Sequence, residues 1–171
     1  INNSPSAFSL EKLSWFNKEY ISKIDSELLL SQLSNMNTEF SEDEYSLNVL
    51  ELIRDRCSLM NDFSNESEYF FKDVDDYDSK AVNKFINEQA VNLLTELLAE
   101  LKSIDAWKSH DIQLSIEKIL SKHEIGFGKI GLPLRIALTG STNSPSIDKT
   151  VEVLGQKIVF ERIEKAIKVF S

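Results

Sequence analysis

This chain of 171 residues has little of several things. It has a single cysteine, Cys57, so no internal disulfide can form, which fits a reducing compartment such as the cytoplasm. It has only 5 glycines and 3 prolines, so few points force the backbone to turn, and the long uninterrupted segments favour helices. No apolar run approaches the roughly 20 residues that a membrane-spanning helix requires. No signal peptide is visible, and the first residue is Ile1 rather than Met, as expected of a cut inside a longer protein. The two histidines, His110 and His123, stand apart, and no Cys/His cluster has zinc-ligand spacing. No glycine-rich phosphate loop is present. Asp73-Val74-Asp75-Asp76 lacks the central glycine and closing glutamate of a calcium loop and reads as a solvated acidic loop.

Basic residues are also outnumbered. The net charge is −9, which argues against a general nucleic-acid binder, whose affinity rests on basic patches. Any RNA-binding surface would have to be local. The acidic residues Asp73, Asp75, Asp76 and Asp78 cluster mid-chain, whereas Lys118, Lys122, Lys129 and Arg135 face only Glu124 between residues 118 and 135.

What the chain does have is helical periodicity. Asp25 and Ser26 can cap a helix through Leu28, Leu29 and Leu33, and Ser41 or Asp43 can start one carrying Leu47, Leu50, Ile53 and Cys57. Ser79 opens a long segment with Val82, Phe85, Ile86, Ala90, Leu93, Leu94, Leu97, Leu98 and Leu101 at three- and four-residue spacing. Ser109 caps a helix with Ile112, Ile116, Ile119 and Leu120 on one face, followed by Gly126 and Gly128. Ile130 to Leu138 is apolar enough to pass for a strand. Ser144 as N-cap and Pro145 in the first turn predict a short helix through Ile147, Val151 and Leu154, ended by Gly155 as a left-handed C-cap. The last helix turns Val159, Ile163, Ala166, Ile167 and Phe170 inward, with Glu161, Arg162, Glu164, Lys165 and Lys168 outward. Periodicity breaks in the acidic, aromatic stretch Tyr69 to Asp78. The expected fold is therefore all-α, two consecutive helical bundles over residues 1–78 and 79–171.

Two blocks carry a resemblance. Pro133-Leu134-Arg135-Ile136-Ala137-Leu138-Thr139-Gly140 is similar to the P-L-R-x-A-L-T-G of the anticodon-binding region of bacterial glutamyl-tRNA synthetases. Phe8-Ser9-Leu10-Glu11-Lys12-Leu13-Ser14-Trp15-Phe16-Asn17-Lys18-Glu19-Tyr20-Ile21 resembles that family's F-D-x-x-K-L-x-W-x-N-x-x-Y-I. The blocks come in the family's order at opposite ends of the chain, and the middle matches mainly in pattern. The resemblance implies an all-helical anticodon-binding portion in two subdomains, belonging to a ligase that uses ATP and magnesium to attach glutamate to its tRNA. The H-I-G-H-type and K-x-S-K-type motifs of class I synthetases do not occur here, and Glu11-Lys12-Leu13-Ser14 is only a passing likeness. The segment alone is therefore not expected to activate glutamate. The implied partners are the anticodon loop of glutamate tRNA and an N-terminal catalytic domain of the same chain.

The resemblance also implies site residues. The residue matching Arg135 lies at the anticodon loop in the family, and the turn matching Ser144, Pro145 and Ile147 contacts the first two anticodon bases. Relatives commonly carry Gly-Leu or Glu-Leu where this chain has Ser146-Ile147. Arg56 aligns with an arginine that reads the last base. A donor-only guanidinium suits the O2 and N3 acceptors of cytosine and opposes the N–H donors of guanine. Lys12 is a candidate for the tRNA backbone, and Trp15 and Tyr20 for packing against the preceding domain. Each residue also has an ordinary structural role open to it. Arg135 can lay its stem over apolar surface or pair a carboxylate, Arg56 can be a surface arginine bonded near Asp55 or Glu51, and Cys57 can be a core residue. The opposing reading of the whole is a helical protein-interaction or scaffold domain without RNA binding.

Overall fold

A computed structural model describes residues 10–36 and 39–171. Phe8 and Ser9 of the N-terminal block, and Ile1, lie outside the described residues. Among those described there are ten α-helices, one short 3-10 turn and no strand. The chain forms two compact units, residues 1–71 and 72–171, dividing earlier than the expected junction near Asp78.

The first unit contains α1 (Leu10–Lys23), α2 (Ser26–Ser34), α3 (Glu44–Ile53) and α4 (Met60–Phe71). The capping chemistry is local. Asp25 accepts from the N–H groups of Glu27 and Leu28 to start α2, and Asp43 accepts from Ser46 N–H to start α3. Leu29, Leu33, Val49, Leu50, Ile53 and Phe63 are fully buried, and Phe40 meets Phe63 and Phe71 edge-on. The helix expected to reach Cys57 stops at Ile53 and tightens into a 3-10 turn, Arg54–Arg56. Arg54 explains the stop. Its Nε donates to Ile21 O at 2.7 Å and its Nη1 to Ser26 Oγ at 3.0 Å, and Nη2 donates to Ile24 O. These bonds hold the α1–α2 connection against the turn. Cys57 then sits in extended backbone and fully buried. Burial, reinforced by Glu66 and Asp62, pushes its thiol up to about 12, so it is a core residue with no thiolate to offer.

The second unit contains α5 (Ser79–Phe85), α6 (Glu88–Lys102), α7 (Ser109–His123), α8 (Gly128–Thr139), α9 (Ile147–Leu154) and α10 (Gln156–Phe170). The single helix expected from Ser79 to Leu101 is two. Ile86 is extended, and the Asn87 side chain accepts from Ala90 N–H, so an Asn that can bond its own backbone restarts the helix with α6. Ser109 is the first residue of α7 rather than its cap, which is Lys108.

Residues 130–138, legible as either helix or strand, form the body of α8. Its one internal proline costs about 3 kcal/mol and each internal glycine about 1 kcal/mol of helix propensity. Ile130, Leu134, Ile136 and Leu138 are fully buried, and each contributes about 1.5–3 kcal/mol, so burial outweighs propensity. The helix is apolar on nearly every side and is accordingly enclosed, packing against α5, α6, α9 and α10.

Arg162, expected outward on α10, is buried. Its Nη1 donates to Leu138 O at 2.7 Å and its Nη2 to Lys72 O at 2.9 Å. Nearby, Lys165 Nζ donates to Val74 O at 2.7 Å and to Asp75 Oδ1 at 2.9 Å, and Asp78 N–H donates to Gly140 O at 2.8 Å. These bonds join residues 72–78 to the rest of the second unit. Gly140 closes α8 in the left-handed region at φ 77°, where an added Cβ would lie 2.7 Å from Asp76 O. Gly155 has a positive φ of 82°, but its ψ of 156° is extended, so it links α9 to α10 instead of forming the left-handed cap expected.

Gly140→Ala combines a disfavoured φ with a backbone clash and is expected to cost about 2–4 kcal/mol. Gly126→Ala, with open space around it and no positive φ, should stay within about 0.5 kcal/mol of wild type. Urea unfolding of both variants checks this.

Candidate functional site

The second unit brings Arg135, Ser144, Pro145 and Ile147 together. Arg135 leaves the buried body of α8 toward the 141–146 loop. Its Nη1 donates to Ser144 O at 2.8 Å and to Pro145 O at 2.6 Å, and also to Ser144 Oγ. The guanidinium thus pins a turn by its carbonyls, a role not among those open to it from sequence. Ser144 and Pro145 are buried, and the Ser144 hydroxyl also donates to Pro145 O at 3.1 Å. Ser144 is therefore not the helix cap. The N-cap of α9 is Ser146, with no side-chain capping bond, and Pro145 lies outside the first turn. Ile147 is buried at the helix start. What faces outward here is Ser146, which is exposed, at the start of α9, whose first-turn N–H groups point out of the helix at its positive end.

A groove of about 380 Å³ opens beside this turn, walled by Ile116 and Leu120 of α7, Phe127, Arg135, and Ser146 and Ile147 of α9. Bonds from the loop before α7 fix the position of α9. Trp107 Nε1 donates to Val151 O at 3.1 Å, and Glu152 accepts from Ser109 N–H at 2.8 Å and from Lys108 Nζ at 3.2 Å. Glu152 thus supplies the cap that Ser109 was expected to give. Burial pushes the Glu152 carboxyl up, but the bonds from Ser109 and Lys108 outweigh it and hold it below the usual range.

The basic stretch from residue 118 to 135 is largely compensated. Lys118 pairs with Glu100 at 2.7 Å and Lys122 with Glu96 at 2.8 Å, while His123 Nε2 lies 3.0 Å from Glu96. The Lys122 bond, then that from His123, holds the Glu96 carboxyl low. The α6 carboxylates that neutralise these lysines are far away in sequence, which is why the stretch reads as basic until it folds.

In the first unit, Arg56 lies in the 3-10 turn rather than on a helix. Its Nε donates to Glu66 Oε2 of α4 at 2.5 Å, and its side chain keeps 28% of its exposure. Lys12 is exposed on α1, as are Leu13, Trp15, Phe16 and Tyr20. Among the described residues, no group of three or more His, Cys, Asp or Glu side chains could hold a metal ion, and no helix is long and apolar enough to cross a membrane.

Residues 10–167 match the family model of the anticodon binding domain. The chain belongs to that family. A solved glutamate tRNA ligase from Elizabethkingia meningosepticum CCUG26117, in complex with its amino acid, superposes with a TM-score of 0.87 at 30% identity. The match covers 96% of this chain and 33% of that one. The glutamate-tRNA synthetase of Elizabethkingia anophelis gives 0.81 at 31% identity, over 94% of this chain and 32% of that one. This anticodon binding domain thus spans about a third of the ligases it resembles, and the likeness read from the two sequence blocks agrees with both matches. Arg54, Glu152 and Arg162, which hold the domain's loops, were missed in the sequence because each acts on backbone or partners distant along the chain.

Because Glu152 titrates low in the folded state, its contribution is present above the ordinary carboxylate value of 4.5 and is lost as pH falls through the lowered folded value. Glu152→Ala is expected to cost about 1 kcal/mol near pH 7, the usual range for a lost helix cap. The gap to wild type should narrow as pH drops below 4.5. Thermal melts of both proteins across that range measure it.

Proposed function

We propose that this chain recognises the anticodon loop of glutamate tRNA as the C-terminal part of a glutamate–tRNA ligase. The observation that carries this reading is the superposition on two glutamate–tRNA ligases at 30% and 31% identity over more than nine-tenths of the chain, together with the anticodon binding domain match. In the whole protein, a catalytic domain would use ATP and magnesium to attach glutamate in the cytoplasm, and the exposed aromatic face of α1 would pack on that part of the chain. Lys12 would touch the tRNA backbone, a contact that positions without reading sequence.

The turn held by Arg135 supports a base-reading role. Its carbonyls are tied inward, so the first turn of α9 and Ser146 are held rigid and outward, and a preorganised turn loses little entropy on binding. Ser144, Pro145 and Ile147 then act by fixing the shape of the turn. Arg56 would read the last anticodon base. The bond from its Nε to Glu66 orients the guanidinium plane, and a donor-only group favours cytosine over guanine at that position.

Two measurements test the reading. Arg135→Ala should weaken binding of a glutamate tRNA anticodon hairpin more than Lys168→Ala on the α10 surface, and equal losses would remove Arg135 from the site. In the full ligase, Arg56→Gln should narrow the preference for an anticodon ending in C over one ending in G by about 1–3 kcal/mol. The same substitution should lower stability by about 1 kcal/mol or less, since the Glu66 pair is partly exposed. An unchanged C-to-G ratio in aminoacylation would exclude Arg56 from recognition.

A further inference from the structure

Phe127 precedes α8, and no motif draws attention to it. Nearly half of its surface, 48%, is exposed, although it stands at the edge of a well-formed core. Its ring lies on the bare backbone of Gly131, one turn further along the helix, and a Cβ on that glycine would collide with the ring. The Cδ1–Cε1–Cζ side of the ring is thus seated on a residue that can accept it only because it has no side chain. The ring also walls the groove that contains Arg135, Ser146 and Ile147.

The polar groups of the same groove say what its occupant can be. Gln113, Glu117 and Asp148 line it, and Gln113 Nε2 donates to Glu117 at 2.8 Å. Two carboxylates beside one arginine repel a phosphate. They suit an uncharged planar ring that carries N–H donors at its edge, as the amino-bearing bases do. An unstacked loop base is recognised in this way, by an aromatic platform under its face and polar groups along its edge.

We infer that Phe127 is the stacking platform for one unstacked base of the bound RNA loop, with Gly131 as its seat and Glu117 and Asp148 as acceptors for the base's N–H groups. The inference rests on the anticodon-loop reading above and adds to it a residue that reads shape through a π-face. Ile116 and Leu120 close the apolar wall, so the base leaves water on entering the groove.

The test uses the full 171-residue chain and a hairpin RNA with the anticodon stem and loop of a glutamate tRNA, 2-aminopurine replacing each loop base in turn. Phe127→Leu keeps apolar bulk on Gly131 and removes the π-face, whereas Phe127→Tyr keeps both. The leucine variant should bind about fivefold or more weakly and lose fluorescence quenching at one loop position, with the tyrosine variant within about twofold of wild type. If wild type binds the hairpin and the leucine variant matches it, or the tyrosine variant fails alongside it, Phe127 has no such role and the anticodon-loop reading stands. If wild type does not bind the hairpin, both fall together.

Discussion

Three arginines carry much of this structure by donating to backbone carbonyls. Packing helices around an apolar centre draws the connecting loops inward, and a loop carbonyl removed from water must find a donor. Arginine is well suited, since its guanidinium presents several N–H donors and no acceptor. Arg54 holds Ile21, Ile24 and Ser26 at the α1–α2 connection, Arg135 holds Ser144 and Pro145, and Arg162 holds Leu138 and Lys72. Each of the first two also stands beside a candidate recognition residue. Arg54 opens the 3-10 turn that ends with Arg56, and Arg135 fixes the turn that leads into α9.

The same device bears on how a chain of net charge −9 could present the RNA-binding surface proposed for it. Its lysines on α7 are committed to α6 carboxylates, so no broad basic field is available there. Affinity drawn from phosphates would be weak on such a face and strongly salt-dependent. Recognition through base edges and ring faces needs few charges, provided the groups are held still. Helix α9 is held by Arg135 at the turn before it and by Trp107 and the bonds to Glu152 in its C-terminal half, all within one compact unit.

Helix α8 shows where local and global preferences part. Gly128, Gly131 and Pro133 argue against a helix, and the apolar run from Ile130 to Leu138 can pass for a buried strand. Enclosure by α5, α6, α9 and α10 decides the matter, because burial of four large side chains exceeds the propensity cost. Gly131 then serves as the bare surface on which the Phe127 ring rests.

The sequence by itself determined the helical class, the amphipathic faces of α6 and α7 and, Arg162 apart, that of α10, offered Asp25 and Asp43 among the candidate caps, and carried the two blocks that point to a synthetase's anticodon-binding region. All of these depend on neighbours within a few positions, where period and capping chemistry are legible. It also placed Arg135 and the Ser144–Ile147 turn in one region of the chain. Tertiary structure alone decided that Arg135 commits its donors to that turn, that Ser146 rather than Ser144 precedes α9, and that Arg162 points inward. It alone paired Arg56 with Glu66 and matched the lysines of α7 with the carboxylates of α6. Each of these outcomes joins groups that periodicity places on separate helices or loops, and a hydrogen bond between them is fixed only when packing brings the two within reach.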